Sequence, residues 1–127
     1  MKYLLLLLII IIAALGIKKI YAHQIAQNSC FENINNEVFK TEMMATEQTI
    51  ILDVRTKKEY QGGNIQGAIN IDVLEDNFEA KVQELDKDKT LLVYCRSGGR
   101  SVKASLILCN LGFKKVYNLS NGYMGWK

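Results

Sequence analysis

Proline is absent from the 127 residues, histidine and tryptophan occur once each, and arginine and cysteine occur three times each. With no proline-rich or low-complexity spacer, a chain of this length fits one modest domain and excludes a large multidomain enzyme. The cysteines show no Cys-x-x-Cys spacing, so they neither close a zinc site nor build a disulfide-dense scaffold; no metal or other cofactor is called for. His23 is the only histidine, and no His, Asp or Glu lies within the loop that follows Cys95 to act as a base, which argues against a Cys–His hydrolase. Excess charge is missing as well. Lys2, Lys18 and Lys19 fall within the first 22 positions, leaving thirteen basic and thirteen acidic residues beyond Ala22. A neutral body offers no basic stripe to a phosphate backbone, so nucleic acid is not expected as a partner.

What the chain does have, first, is an uncharged run over 4–17, almost entirely Leu, Ile and Ala, that stops at Lys18-Lys19. Fourteen residues rise about 21 Å as a helix, short of the roughly 30 Å hydrocarbon core of a bilayer. The charged start, the apolar stretch and the small residue Ala22 follow the pattern of an export signal with cleavage before His23. The lysines directly behind the run and the bulky Ile20 depart from that pattern and keep an uncleaved anchor as the alternative. The expectation is a signal peptide or membrane anchor over 1–22 and a working domain over 23–127, periplasmic or otherwise exported, touching a membrane only through 1–22. Such a compartment is oxidising. His23 reads as a solvated residue beside the cleavage point.

Beyond position 30, short continuous apolar runs alternate with amphipathic stretches, the pattern of strands covered on both faces. Strands are expected over 31–34, 50–54, 68–71, 90–94 and 116–119, with helices over 35–45, 74–85 and 101–111. Gly112 is the expected stop of the last helix. The fold class is α/β: a five-stranded, mostly parallel sheet with helices on both faces and right-handed crossovers. In such sheets ligands bind at the carboxyl ends of the strands.

One strand end carries Cys95-Arg96-Ser97-Gly98-Gly99-Arg100, with Ser101 opening a helix. Ser97, Gly98 and Gly99 let consecutive N–H groups converge on one centre, and the helix N-terminus adds partial positive charge there. Both features favour a thiolate on Cys95. Arg96 and Arg100 suit an oxyanion substrate. A buried filler cysteine has no use for two glycines and two arginines within five residues.

The segments Leu52-Asp53-Val54-Arg55, Glu59-Tyr60, Gly67-Ala68-Ile69-Asn70, the loop from Cys95 to Ser101, Gly112-Phe113 and Gly122 with Trp126 resemble a single-domain rhodanese, in order and in spacing. That resemblance implies a sulfurtransferase: Cys95 as nucleophile and persulfide carrier, the amides from Arg96 to Arg100 around the outer sulfur, and Arg96 and Arg100 lining the pocket. The implied partners are a small sulfur donor such as thiosulfate and a thiophilic acceptor, cyanide or a thiol; the protein is expected to be a monomer. Two positions depart from the family pattern. Gly63-Asn64-Ile65-Gln66-Gly67 lacks the usual His and Pro, which predicts a looser segment, and Asn121-Gly122 replaces Gly-Gly.

Loop length separates the rivals. Phosphatases of the related Cdc25 type and protein tyrosine phosphatases place five residues between cysteine and arginine, a wider cradle for phosphate; here four intervene, which suits a single sulfur atom over phosphate-ester hydrolysis or arsenate reduction. A sulfur carrier or interaction module without turnover stays open, as does a thiol oxidoreductase if Cys30 or Cys109 reaches Cys95. Cys109 reads as a packing residue. Asp53 and Arg55 share one strand face and read as structural ties near the site, with Ser101 beside them in that role. Lys57 and Lys58 read as solvated, and Tyr94, Phe113 and Trp126 as core.

Overall fold

The computed structural model describes residues 2–27, 30–45 and 47–127, with side-chain surroundings given for 3–19, 30–45 and 47–127. Ten main elements follow in order: α1 (Lys2–Gln27), β1 (Phe31–Ile34), α2 (Asn36–Ala45), β2 (Thr49–Asp53), α3 (Lys57–Gln61), β3 (Ile69–Asn70), α4 (Phe78–Val82), β4 (Thr90–Tyr94), α5 (Gly99–Asn110) and β5 (Val116–Leu119). A 3₁₀ turn, Tyr123–Gly125, closes the chain. The described apolar side chains of α1 from Tyr3 to Ile17 are exposed to solvent. Among the described residues no helix is long and apolar enough to cross a membrane. The expectations for Ile20, Ala22 and His23 fall on side chains outside the described set.

The sheet has the strand order β1-β5-β4-β2-β3, and every pairing is parallel. β4 sits at its centre, and its period-two alternation sorts the two faces. Leu91 and Val93, with Cys95 beyond them, face a core built with Phe78 and Val82 of α4 and Ala104 and Leu108 of α5. Leu92 and Tyr94 face Phe39 of α2, Ile65 and Trp126. Because both sides of β4 are covered, its sequence is an unbroken apolar run.

Sequence and structure agree on all five strands, on α2 and on the order of the expected elements; they differ at element ends and at α3. The helix expected over 74–85 shrinks to α4, because Asp72 turns the chain. Its carboxylate accepts the Leu74 N–H at 2.9 Å, and i+3 bonds from Glu75 and Phe78 keep the approach in turns. α5 starts at Gly99, two residues early, since Gly98 at φ 105° already supplies the N-cap. α3 was not expected as a helix, although Thr56-x-x-Glu59 signals a capping box. The Glu59 N–H donates to Thr56 Oγ1, and the Thr56 N–H returns to Glu59 Oε2.

The segment expected to be loose is pinned instead. Arg55 Nη2 donates to Gly63 O at 2.6 Å, Asn64 Nδ2 to Tyr60 O, the Ile65 N–H to the Tyr94 hydroxyl at 3.0 Å, and the Ala68 N–H to Ile65 O. Asn121 does not take a positive φ, so its replacement of glycine meets no steric penalty there.

Cys109 is a correction. Placed near the C-terminal end of α5, it forms a disulfide with Cys30, the residue before β1, at a Cα–Cα distance of 5.8 Å. Seventy-nine residues separate the two in sequence, and a contact so remote leaves no local signature. The bond ties the sheet edge to the C-terminal end of α5, the helix whose N-terminus follows the Cys95 loop.

Candidate active site

β4 delivers Cys95 to the carboxyl end of the sheet, and the chain then bends back over the sulfur to begin α5. Cys95 is the one free cysteine of the three, and only 1% of its surface is exposed. The loop amides nevertheless turn inward. The Gly98 N–H donates to Cys95 Sγ at 3.1 Å and the Ser101 hydroxyl lies 3.3 Å from it. Burial alone would push the thiol up; the Ser101 hydroxyl and the N–H groups of Ser101, Gly98 and Ser97 outweigh it and bring the group below its ordinary value.

Two glycines make this geometry possible. At Gly98 the left-handed φ aims the N–H at the sulfur, and a Cβ there would collide with Ser120 O. At Gly122, with φ 60°, a Cβ would strike Arg96 O and Ser97 N. The chain after Gly122 is thereby free to lie backbone to backbone on the loop, where the Tyr123 N–H donates to Cys95 O at 2.8 Å and the Met124 N–H to Arg96 O at 2.9 Å. The terminal turn is the outer brace of the cysteine loop. Sequence reasoning had Gly122 only as a motif residue; the long-range contact gives it its purpose.

The arginines divide. Arg100 forks onto Glu59, Nη1 to Oε2 and Nη2 to Oε1, both at 2.8 Å. That guanidinium, with help from the Thr56 donors, pulls the Glu59 carboxyl down to about 2 against the opposing effect of burial. Arg100 is therefore held by α3, near enough to Cys95 for the two charges to interact. Arg96 is exposed and forms no ion pair among the described residues. It lines a cavity of about 370 Å³ with Lys58, Tyr123 and Met124. Thus both expected pocket arginines belong to the loop and its helix start; Arg100 is committed to Glu59, whereas Arg96 has no ion-pair partner among the described residues. Gly99 opens α5, and Ser97 is exposed at the loop surface.

Asp53 and Arg55 form a buried ion pair at the end of β2. Asp53 is fully buried and accepts from the Arg55 N–H, Arg55 Nε and Nη2, and the Tyr94 hydroxyl at 2.7 Å. The guanidinium carbon of Arg55 sits 4.3 Å from the centre of the Tyr123 ring. This network locks the end of β2, the last residue of β4 and the terminal turn together, directly beneath the cysteine loop. Tyr94 and Phe113 are buried and Trp126 is half-buried against Phe39. The disulfide consumes both cysteines that a thiol oxidoreductase would have needed as a partner for Cys95.

Residues 36–127 match the rhodanese-like domain family. The chain is 32% identical over 94 residues to the thiosulfate sulfurtransferase GlpE of Shewanella oneidensis, a match covering 74% of this chain and 88% of that protein. It is 34% identical over 104 residues to YrkF of Bacillus subtilis, a candidate sulfur carrier, covering 82% of this chain and 55% of the relative. A rhodanese-like domain protein from Staphylococcus aureus, known from its crystal structure, superposes with a TM-score of 0.67 at 25% identity, over 76% of this chain and 91% of that one.

Proposed function

Because the chain belongs to the rhodanese-like domain family and shares its fold, we propose that it is an exported thiosulfate sulfurtransferase that carries sulfane sulfur on Cys95. The single observation that carries the reading is the inward-facing donor set around the one free thiol: the Gly98 N–H and Ser101 hydroxyl on Sγ, in a loop with four residues between cysteine and arginine.

The reaction runs in two halves. Thiolate Cys95 attacks the outer sulfur of thiosulfate; the Sγ–S bond forms, the S–S bond of the donor breaks, and its electron pair departs with sulfite. An acceptor nucleophile, cyanide or a thiol, then attacks the same outer sulfur, and the Sγ–S pair returns to Cys95 as thiolate. The persulfide anion gains from preorganised N–H donors at the loop, each worth about 3 kcal/mol in a water-poor site. Arg96, with no ion-pair partner among the described residues, is the residue that meets the sulfonate end of thiosulfate. Arg100 adds fixed positive charge from its place on Glu59. Gly99 and Ser97 contribute backbone only.

Export is supported by the apolar run over 4–17 and by the Cys30–Cys109 disulfide, which suits an oxidising compartment. The reading is of a periplasmic or surface domain, monomeric, released by cleavage before His23 or held by residues 1–22. The similarity to a candidate sulfur carrier favours a second reading, a stoichiometric carrier with the same Cys95 persulfide. Steady-state assay with excess thiosulfate and cyanide separates the two. Repeated thiocyanate formation per protein supports the enzyme; a single stoichiometric burst supports the carrier; no transfer at all overturns both.

A further inference from the structure

A single hydroxyl proton in the core of the site faces two acceptors. Ser101 is completely buried, and its Oγ lies 3.3 Å from Cys95 Sγ and 3.0 Å from the carbonyl oxygen of Gly98. A serine hydroxyl carries one proton, so a full-strength, linear bond to one acceptor is made at the expense of the other. Gly98 sits on both sides of this choice: its N–H points at the sulfur while its carbonyl competes for Ser101. The two acceptors differ in one respect that changes during sulfur transfer, the charge on Sγ.

We propose that Ser101 is a catalytic residue whose hydroxyl rotates between Sγ and the Gly98 carbonyl as charge returns to and leaves Sγ. The proposal rests on the persulfide reading above. In the resting thiolate Sγ bears the charge, and a charge-assisted bond from Ser101 is the stronger of the two. When Sγ attacks the outer sulfur of the donor, the negative charge moves to that outer atom, which the loop amides receive. Sγ becomes a neutral disulfide-like sulfur, a poor acceptor, and the hydroxyl turns to Gly98 O. When the acceptor takes the sulfur, the pair returns to Sγ and the hydroxyl follows it. No proton is transferred at any point. Ser101 therefore stabilises the leaving thiolate in the second half and the resting thiolate before the first.

The charges around Sγ are otherwise fixed. Arg100 from α5 is clasped by Glu59 of α3 and feels Asp72 beyond β3, Arg96 projects from the loop into solvent, and the core beneath, including Val93 and Ala104, is apolar. The Ser101 hydroxyl is also the largest single influence lowering the Cys95 thiol against the cost of burial.

The test compares wild type with Ser101→Ala, and with the isosteric pair Ser101→Thr and Ser101→Val, which keeps the comparison available should the alanine variant not fold. Iodoacetamide alkylation of Cys95 against pH is expected to shift its midpoint up by about one unit in the hydroxyl-free variants, a roughly tenfold slower reaction at neutral pH. Above that midpoint, stopped-flow persulfide formation from thiosulfate is expected to be no slower than wild type, while discharge to cyanide falls about tenfold; Ser101→Thr restores both. An unchanged alkylation midpoint overturns the proposal, and so does equal behaviour of the threonine and valine variants or a parallel loss of both halves at every pH. If wild type formed no persulfide, the proposed function would fail, whereas the alkylation arm would still decide whether Ser101 holds the thiolate.

Discussion

The three cysteines of this chain occupy two environments that teach opposite lessons about one side chain. Cys30 and Cys109 lie at the β1 edge and the far end of α5 and are joined, with no ionised form to stabilise. Cys95 lies at the near end of the same helix, alone, with a hydroxyl and three amides directed at its sulfur. The same 12-residue helix thus carries a covalent staple at one end and an anion cradle at the other. The length of α5 separates the two ends, and on the proposed reading a sulfur accepted at Cys95 would meet no resolving thiol, because the other two are joined to each other.

Separating the two ends by mutation gives the largest contrast. Cys95→Ser is expected to abolish thiocyanate formation completely while leaving thermal stability near wild type. Thiocyanate formation by the serine variant would contradict the assignment. Cys30→Ser is expected to do the reverse. Losing a cross-link across 79 residues costs about 4.5 kcal/mol in the chain-entropy account, seen as a lower urea midpoint, with the Cys95 alkylation profile unmoved. If the profile shifted as well, the two ends of α5 would be coupled.

The brace comes next in size. Gly122→Ala places a Cβ against Arg96 O and Ser97 N, so the loop or the terminal turn must move. Transfer is expected to fall by about 100-fold with a stability loss of roughly 1–3 kcal/mol. Retained activity would show that the turn is not what holds the amides in place.

Glu59→Gln is a smaller change at the α3 contact. The folded carboxyl titrates near 2, below its unfolded value, so the stability it contributes is present above about pH 4.3 and is lost as pH falls toward 2. Each partner keeps a little over a quarter of its side-chain surface in solvent, which discounts the effect to roughly 1–2 kcal/mol at neutral pH. Urea denaturation of wild type and variant at pH 7 and pH 2 checks this, and their difference should shrink to a small remainder at the acid end, where the folded carboxyl is about half protonated. Arg96→Ala is expected to be the mildest: about tenfold in KM for thiosulfate, equivalent to about 1.4 kcal/mol, with kcat and stability little changed. A larger effect from Arg100→Ala on thiosulfate KM would reverse the division between the two arginines.

Much of this molecule was legible in its sequence because the informative signals are local. β4 reads as an unbroken apolar run since both its faces are covered, and the loop reads as a cradle since its glycines, arginines and helix start are contiguous. Asp53 and Arg55 read as a tie because two residues on one strand share a face. What escaped depends on separation in the chain. The Cys30–Cys109 bond, the seat of Gly122 on Arg96, the clasp of Arg100 by Glu59 and the pinning of Ile65 by Tyr94 each join positions brought together by the parallel crossovers. α3 was the exception, a missed element whose capping box lay in plain view at Thr56 and Glu59. Ser101 was visible as a position beside the loop, but its two competing acceptors emerge only in three dimensions.

Mass spectrometry of the unreduced protein after exposure to thiosulfate tests the central claim most directly. The account expects one added sulfur, about 32 Da, on the peptide bearing Cys95, with Cys30 and Cys109 still linked. An unmodified Cys95, or a Cys95 found in disulfide with either of the other two, would contradict it.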